Sequence, residues 1–175
     1  DFRRDAAGAL KVLAAVKSLE HQGYLFEGAE GSLAILMRKV TGRHKTFFEL
    51  EGFRVLAEKD ERGRSSCSAM IKVKVRGREA VTAAEGTGPV DALNHALRRA
   101  LERFYPRLGD VALTDYKVRV INAEAATGAK VRVLIQSRDK SEEWGTVGVS
   151  ENIIEASWQA LVDSIEYKLL KGGQT

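Results

Sequence analysis

The chain has 175 residues, a formal net charge of +4 and a single cysteine. A chain of this length buries enough apolar surface to fold without a metal or a disulfide, and one cysteine excludes an internal disulfide. Basic and acidic residues are interleaved, which argues against a nucleic-acid-binding protein, and no signal peptide or membrane span is evident. We expect a cytoplasmic protein with neither nucleic acid nor membrane as a partner, and Asp1 in place of Met suggests a piece of a longer protein.

Two helices are predicted before any strand. The first runs from about residue 2 to 20 and the second from about 33 to 40, because apolar residues recur there at helical spacing. Two helices are too few to enclose a core of their own. We therefore expect an antiparallel pair that packs on another domain, and we assign residues 1–45 to a helical linker subdomain.

From Phe47 the apolar period changes from helical to two. Residues 53–58 and 69–76 alternate apolar with polar side chains, which is typical of half-buried strands, and a third strand ends at Gly86. The helix that follows has Pro89 in its first turn, where a missing N–H group has no helical partner to lose. Its apolar face consists of Leu93, Ala96, Leu97, Ala100, Leu101 and Phe104.

The same order of elements recurs after residue 111. A glycine-bearing turn leads into a long final helix, for which Ser150 is the expected N-cap and Glu151 places negative charge on the first turn. The expected strands lie near 116–120, 131–135 and 144–149, and the expected turns lie at 122–128 and 137–141.

The two halves align as an internal repeat. Setting Ala92 on Ala156 gives an offset of 156 − 92 = 64 residues, and the same offset sets Leu97 on Leu161. The sequence therefore predicts an α+β fold. Two βββα units, at about 47–106 and 111–171, form antiparallel sheet with helices on one face, within a domain of residues 46–175.

No catalytic constellation is evident in the sequence. The three histidines have no partners at metal-ligand spacing, and Gly86-Thr87-Gly88 lacks the third glycine and the context of a dinucleotide fingerprint. What remains is binding. N–H groups at a glycine turn before a helix suit a carboxylate, and Asp91 suits an ammonium group, so an amino acid is one candidate ligand. The alternative is that these glycines only permit tight turns.

Several long motifs resemble the C-terminal regulatory domain of the 2-isopropylmalate synthase and citramalate synthase family, and above all its citramalate synthase members. They are Gly86-Thr87-Gly88-Pro89-Val90-Asp91-Ala92, Asp115-Tyr116-Lys117-Val118-Arg119-Val120 and the segment from Gly145 to Ser157. Residues 23–30 and 47–50 are similar to the linker that precedes this domain in citramalate synthases. The resemblance covers nearly the whole chain.

The resemblance implies a regulatory part without its catalyst. In this family an N-terminal TIM barrel, absent here, condenses acetyl-CoA with a 2-keto acid and uses a divalent metal, so this chain itself would be non-catalytic and hold no cofactor. The regulatory domain forms a homodimer and binds the end product of branched-chain amino acid biosynthesis at the dimer interface, for feedback inhibition. That effector is isoleucine in citramalate synthases and leucine in 2-isopropylmalate synthases.

The resemblance also implies where the effector binds. The matching positions, which we take as the predicted effector residues, are Gly88, Val90, Asp91, Leu113, Tyr116, Val120, Ala129 and Ile153. The bulk of Val120, where leucine-binding members often have a small residue, favours isoleucine. Two alternatives stay open, a leucine-sensing domain of a 2-isopropylmalate synthase and a purely structural dimerisation module.

Overall fold

The computed structural model of the chain describes residues 6–121 and 129–172. Its contacts divide into two compact units, which we call the first unit, Thr46–Val111, and the second unit, Asp1–Lys45 with Ala112–Thr175. Each unit contains a three-stranded antiparallel sheet, in sequence order, followed by a helix. The predicted α+β fold, with two βββα units after a helical pair, is therefore confirmed.

The helices and strands are bounded as follows. The helical pair is α1 (Ala6–His21) and α2 (Glu30–Val40). The first unit holds β1 (Glu49–Lys59), β2 (Ser65–Val75), β3 (Arg78–Gly86), α3 (Pro89–Glu102) and a short 3-10 helix (Pro106–Asp110). The second unit continues with β4 (Ala112–Val120), β5 (Val131–Arg138), β6 (Glu143–Ser150) and α4 (Ile153–Lys171).

The two units repeat the same contact between their third strand and their helix. Thr82 Oγ1 on β3 donates to the carbonyl oxygen of Ala96 on α3 at 2.7 Å. Thr146 Oγ1 on β6 donates to that of Ala160 on α4 at 2.8 Å, and both partners stand 64 residues later. The buried face of α3 (Ala92, Leu93, Ala96, Leu97, Ala100, Leu101) likewise corresponds at that offset to buried residues of α4 (Ala156, Ser157, Ala160, Leu161, Ser164, Ile165).

The helix α4 packs closely against strand β6. A Cβ atom added to Gly148 on β6 would lie 2.0 Å from the carbonyl oxygen of Ala156 and 2.9 Å from Gln159 Cβ. No side chain fits in that gap, so the glycine is required by close approach and not by a turn. Gly148 lies inside β6, and the turn that the sequence predicts before α4 consists of residues 151–152.

The helical pair is attached along the free edge of β6. Alternate N–H groups of this strand bind side chains instead of another strand, which protects the edge from pairing with a foreign chain. The N–H group of Gly145 donates to Glu30 Oε1 at 3.1 Å, that of Val147 to Ser32 Oγ at 2.9 Å and that of Val149 to Gln159 Oε1 at 3.0 Å. Because two of these acceptors belong to α2, the helical pair packs on the sheet formed by residues 112–150. The division of the chain at residue 45 into linker and domain stays a prediction.

A polar cluster that is buried on its α4 side holds the end of the α2 segment against α4. His44 Nε2 lies 3.5 Å from Glu166 Oε2, and Lys39 Nζ lies 3.6 Å from Asp163 Oδ1. Burial raises the pKa of Glu166 to about 7 and also raises that of Asp163, while burial lowers the pKa of His44. Only 5% of the Glu166 side chain is exposed, so its ionised form is costly.

The start of α4 differs from its prediction. Ser150 was expected to cap the last helix, but the structure begins α4 at Ile153, and Asn152 Oδ1 accepts from the N–H groups of Ile154 and Glu155. Ser150 Oγ instead accepts from the N–H group of Asn152 at 3.1 Å. The turn expected at 122–128 lies outside the described residues. Among the residues that are described, none of the helices is long and apolar enough to cross a membrane.

The close approach of α4 predicts that Gly148→Ala destabilises the protein. The added methyl group meets backbone at 2.0 Å, so we expect the free energy of unfolding to fall by about 3 kcal/mol, measured by chemical denaturation. Gly52→Ala in β1 is the matched control, since a Cβ there meets no atom within 4 Å. Equal stability of the two variants would show that α4 does not pack as described.

The burial of Glu166 predicts a pH dependence. Its pKa is about 7 in the folded chain against an ordinary 4.5, so the folded state favours the protonated carboxyl. The stability that this proton contributes is full below pH 4.5 and lost as the pH rises through about 7, a change of roughly 3 kcal/mol at most. We expect Glu166→Gln to remove this loss when unfolding is measured between pH 5 and 8.

His44 Nε2 lies 3.5 Å from Glu166 Oε2, so the difference between the two pH profiles contains the titration of Glu166 together with its coupling to His44. Glu151→Gln, an exposed change in the same unit, serves as the control and should keep the wild-type profile. A Glu166→Gln profile parallel to that of the wild type would contradict the assigned burial.

Candidate functional site

Three of the predicted effector residues, Gly88, Val90 and Asp91, lie at the start of α3. Gly88 is the N-cap in an extended conformation and supplies no side-chain cap. Asp91 Oδ2 accepts from the N–H and O–H groups of Thr87 at 2.9 and 3.2 Å, and its Oδ1 lies 3.5 Å from His95 Nε2. The Asp91 carboxylate is thus anchored where the helix dipole favours negative charge, and 37% of its side chain is exposed.

Leu113, Tyr116 and Val120 lie on one face of β4, the edge strand of the second sheet. In a regular strand, residues three apart point to opposite faces. The register shift between Leu113 and Asp115 is a β-bulge that returns Leu113 to the same face as Tyr116. These residues pair with Ser137, Ile135 and Val131 of β5, and Ser137 Oγ bonds Ser164 Oγ of α4, so this face is the one that α4 covers.

Tyr116 and Ile153 are brought together through a residue that the sequence did not assign. Tyr116 Oη lies 2.9 Å from Ser157 Oγ, and Ser157 Oγ donates to the carbonyl oxygen of Ile153 at 2.7 Å. Ser157 is fully buried, and it occupies the repeat position of Leu93. A hydroxyl at an aligned core position is the signal that would have identified it. Ala129, the remaining predicted residue, is buried two residues before β5.

Charge beside Tyr116 is balanced within β4. Asp115 Oδ1 accepts from the Tyr116 N–H group at 2.8 Å, and Asp115 Oδ2 lies 2.5 Å from Lys117 Nζ. The hydrogen bond from Lys117 lowers the pKa of the Asp115 carboxyl, which keeps it ionised near neutral pH. Asp115 is therefore already paired with a cation of its own strand.

The N-terminus of α4 differs from that of α3. Its first free N–H groups, at Ile154 and Glu155, are bound by Asn152 Oδ1 at 2.8 and 3.4 Å. The expectation that this turn offers unoccupied donors to a carboxylate is therefore wrong for those two groups. Of the two helix starts, the one at Gly88 is without a side-chain cap and is better suited to an anion.

An apolar strip on the second unit reaches solvent. It consists of Leu113, Val118 and Val120 on β4 with Ile153 at the start of α4, and 37–58% of each of these residues is exposed. The strip exists because β4 is an edge strand that α4 covers only in part. Apolar side chains that stay exposed along one face of an edge strand are candidates for contact with a ligand or another protein.

A separate cleft of about 360 Å³ lies in the second unit between the helical pair and α4. None of the predicted effector residues lines it. Its polar groups already bind one another, since the Tyr24 hydroxyl donates to Gln159 Oε1 at 2.9 Å and Lys39 pairs with Asp163. We interpret the cleft as part of the joint between α2 and α4. No group of three or more metal-ligating side chains occurs within residues 6–121 and 129–172.

Comparison with known proteins identifies relatives of the whole chain. It is 56% identical over 163 residues to the (R)-citramalate synthase of Geobacter sulfurreducens, covering 93% of this chain and 31% of the relative. It is 51% identical over 162 residues to that of Aquifex aeolicus, with 92% and 31% covered. The 2-isopropylmalate synthase of Shewanella frigidimarina is 32% identical over 95 residues, with 54% and 17% covered.

The chain thus spans about a third of the length of the first two of these relatives, 31% in each case. A family model described as the LeuA allosteric (dimerisation) domain matches residues 27–169, which include α2 and both βββα units except the last two residues of α4. The match begins inside the helical pair and ends within α4. This chain belongs to the LeuA allosteric (dimerisation) domain family.

Proposed function

We propose that this chain is the regulatory part of a citramalate synthase and binds isoleucine as a feedback inhibitor. The observation that carries the proposal is the exposed apolar face of β4 beside Tyr116, in a chain of the LeuA allosteric domain family. That face suits a branched aliphatic side chain. The relatives that support the assignment to citramalate synthases match nine-tenths or more of the chain.

The first unit, taken by itself, also holds polar groups that suit the backbone of an amino acid. Asp91 holds an exposed carboxylate that is suited to an ammonium group, because a charge-assisted hydrogen bond is stronger than a neutral one. The uncapped N-terminus of α3 at Gly88 supplies backbone donors and a dipole for the ligand carboxylate. Both groups lie within a few residues of each other at the start of one helix.

The proposal extends to the parent protein. Its relatives are about three times as long, which leaves room for a catalytic TIM barrel that would condense acetyl-CoA with a 2-keto acid on a divalent metal. Two copies of this domain would form a homodimer, with the apolar strip of β4 and Ile153 as part of the contact. Effector binding would bias the arrangement of the dimer, and a coupling of about 1–3 kcal/mol suffices for useful inhibition.

Isoleucine is expected to stabilise this chain against thermal unfolding. At about a hundredfold excess over its Kd, a ligand that binds only the folded state adds roughly 2.7 kcal/mol. Stabilisation by isoleucine above that by leucine and valine supports the proposal. A response led by leucine would indicate a 2-isopropylmalate synthase sensor, and no response to any of the three would indicate a structural dimerisation module.

Asp91→Asn is expected to abolish most of that stabilisation, because the neutral amide loses the charge that holds the ligand ammonium. Asp60→Asn is the matched control. Asp60 is another exposed carboxylate that accepts loop N–H groups, here those of Arg62 and Arg64. An isoleucine response that Asp91→Asn leaves intact would remove Asp91 from the site.

In the full-length parent, Tyr116→Ala is expected to relieve inhibition by isoleucine while leaving kcat without effector unchanged. Tyr116 lies in the regulatory domain, so its replacement leaves the catalytic residues of the parent in place. Steady-state assays with and without isoleucine measure both quantities. Inhibition that is as strong as in the wild type would contradict the placement of Tyr116 in the effector site.

A further inference from the structure

Three buried hydroxyl groups distinguish the core of the second unit from that of the first. They belong to Ser137, Ser157 and Ser164, which stand 64 residues after the buried, apolar Val73, Leu93 and Ala100. Two of them satisfy each other. Ser137 Oγ lies 2.7 Å from Ser164 Oγ, and the indole N–H of Trp144 donates to Ser164 at 3.1 Å. The third, Ser157, bonds outward to β4.

The proton positions around Ser157 follow from its partners. A serine hydroxyl has one proton, and the carbonyl oxygen of Ile153 can only accept, so Ser157 donates to it at 2.7 Å. The Tyr116 hydroxyl must then donate in its 2.9 Å contact with Ser157 Oγ. The phenol oxygen of Tyr116 is left with acceptor lone pairs alone on its outer side. Because Ser157 is fully buried, water does not compete for this arrangement.

We infer that Ser157 is a positioning residue for ligand binding, and that it fixes the hydroxyl proton of Tyr116 toward α4. The phenol then offers the ligand an acceptor and not a donor. A ligand bound beside β4 is therefore oriented with an N–H or ammonium group toward Tyr116 and its carboxylate away. This inference rests on the proposed function and specifies which end of a bound amino acid the same site places toward Tyr116.

The first test measures the hydrogen bond without ligand. Tyr116→Phe, Ser157→Ala and the double variant form a cycle of unfolding free energies. If the two side chains are bonded as described, the double variant loses less stability than the two single changes together. Additive losses would show that the two side chains are not bonded, and the inference would fail with that bond.

The second test measures isoleucine binding by calorimetry. Ser157→Ala frees the Tyr116 proton to turn outward, so the Kd should rise roughly fivefold, the value of one hydrogen bond. Ser164→Ala is the matched control, since it removes a buried hydroxyl from the same helix without touching Tyr116. It should lower stability and leave the Kd unchanged, and Ser157→Ala should add nothing in a Tyr116→Phe background.

The outcomes distinguish a failure of the proposed function from a failure of the role assigned to Ser157. A wild-type chain that binds no branched-chain amino acid overturns the proposed function and this inference with it. Wild-type binding that Ser157→Ala and Ser164→Ala affect equally overturns only the positioning role of Ser157. Binding that weakens in Ser157→Ala alone supports it.

Discussion

The close contact between the third strand and the following helix determines the geometry of each unit. A threonine of the strand donates to a backbone carbonyl in the middle of the helix, Thr82 to Ala96 and Thr146 to Ala160. Such a bond requires the helix backbone to approach the sheet closely, and alanines on the helix and Gly148 on the strand provide the space. Once the helix is held there, its N-terminus is fixed beside the strands. Apart from Ala129, which precedes β5, the predicted effector residues lie at such a helix N-terminus or on the edge strand β4 that α4 partly covers.

The repeated unit has diverged where its helix meets its surroundings. In the first unit, the face of α3 away from the sheet carries Arg98, whose guanidinium donates to the carbonyl oxygens of Val111 and Leu108. In the second unit, the same face of α4 is covered by α2, and Glu166 is buried next to His44. The helix that holds Tyr116 through Ser157 therefore also seats the helical pair. This makes α4 the element through which a ligand beside β4 would act on α2.

Periodicity predicted most of the fold because burial imposes it. Alternation in β2 and helical spacing in α3 reflect one covered face each, and the offset of 64 follows from one fold used twice. Contacts made by side chains at irregular positions were not predictable in this way. The bulge near Thr114 depends on one extra residue in β4, and the cap at Asn152 lies two residues after the expected Ser150. Ser32 binds β6 from a distant part of the sequence. Ser157 was missed because the sequence places a hydroxyl at this core position but does not show that Tyr116 is its partner.

If a branched-chain amino acid binds beside β4 and the start of α4, as we propose, hydrogen–deuterium exchange will detect it there. Exchange of backbone amides is measured with and without saturating isoleucine. We expect slower exchange in peptides that contain Tyr116 and Ile153. Protection confined to the cleft between α2 and α4, around Tyr24 and Gln159, would show that the ligand does not bind beside β4.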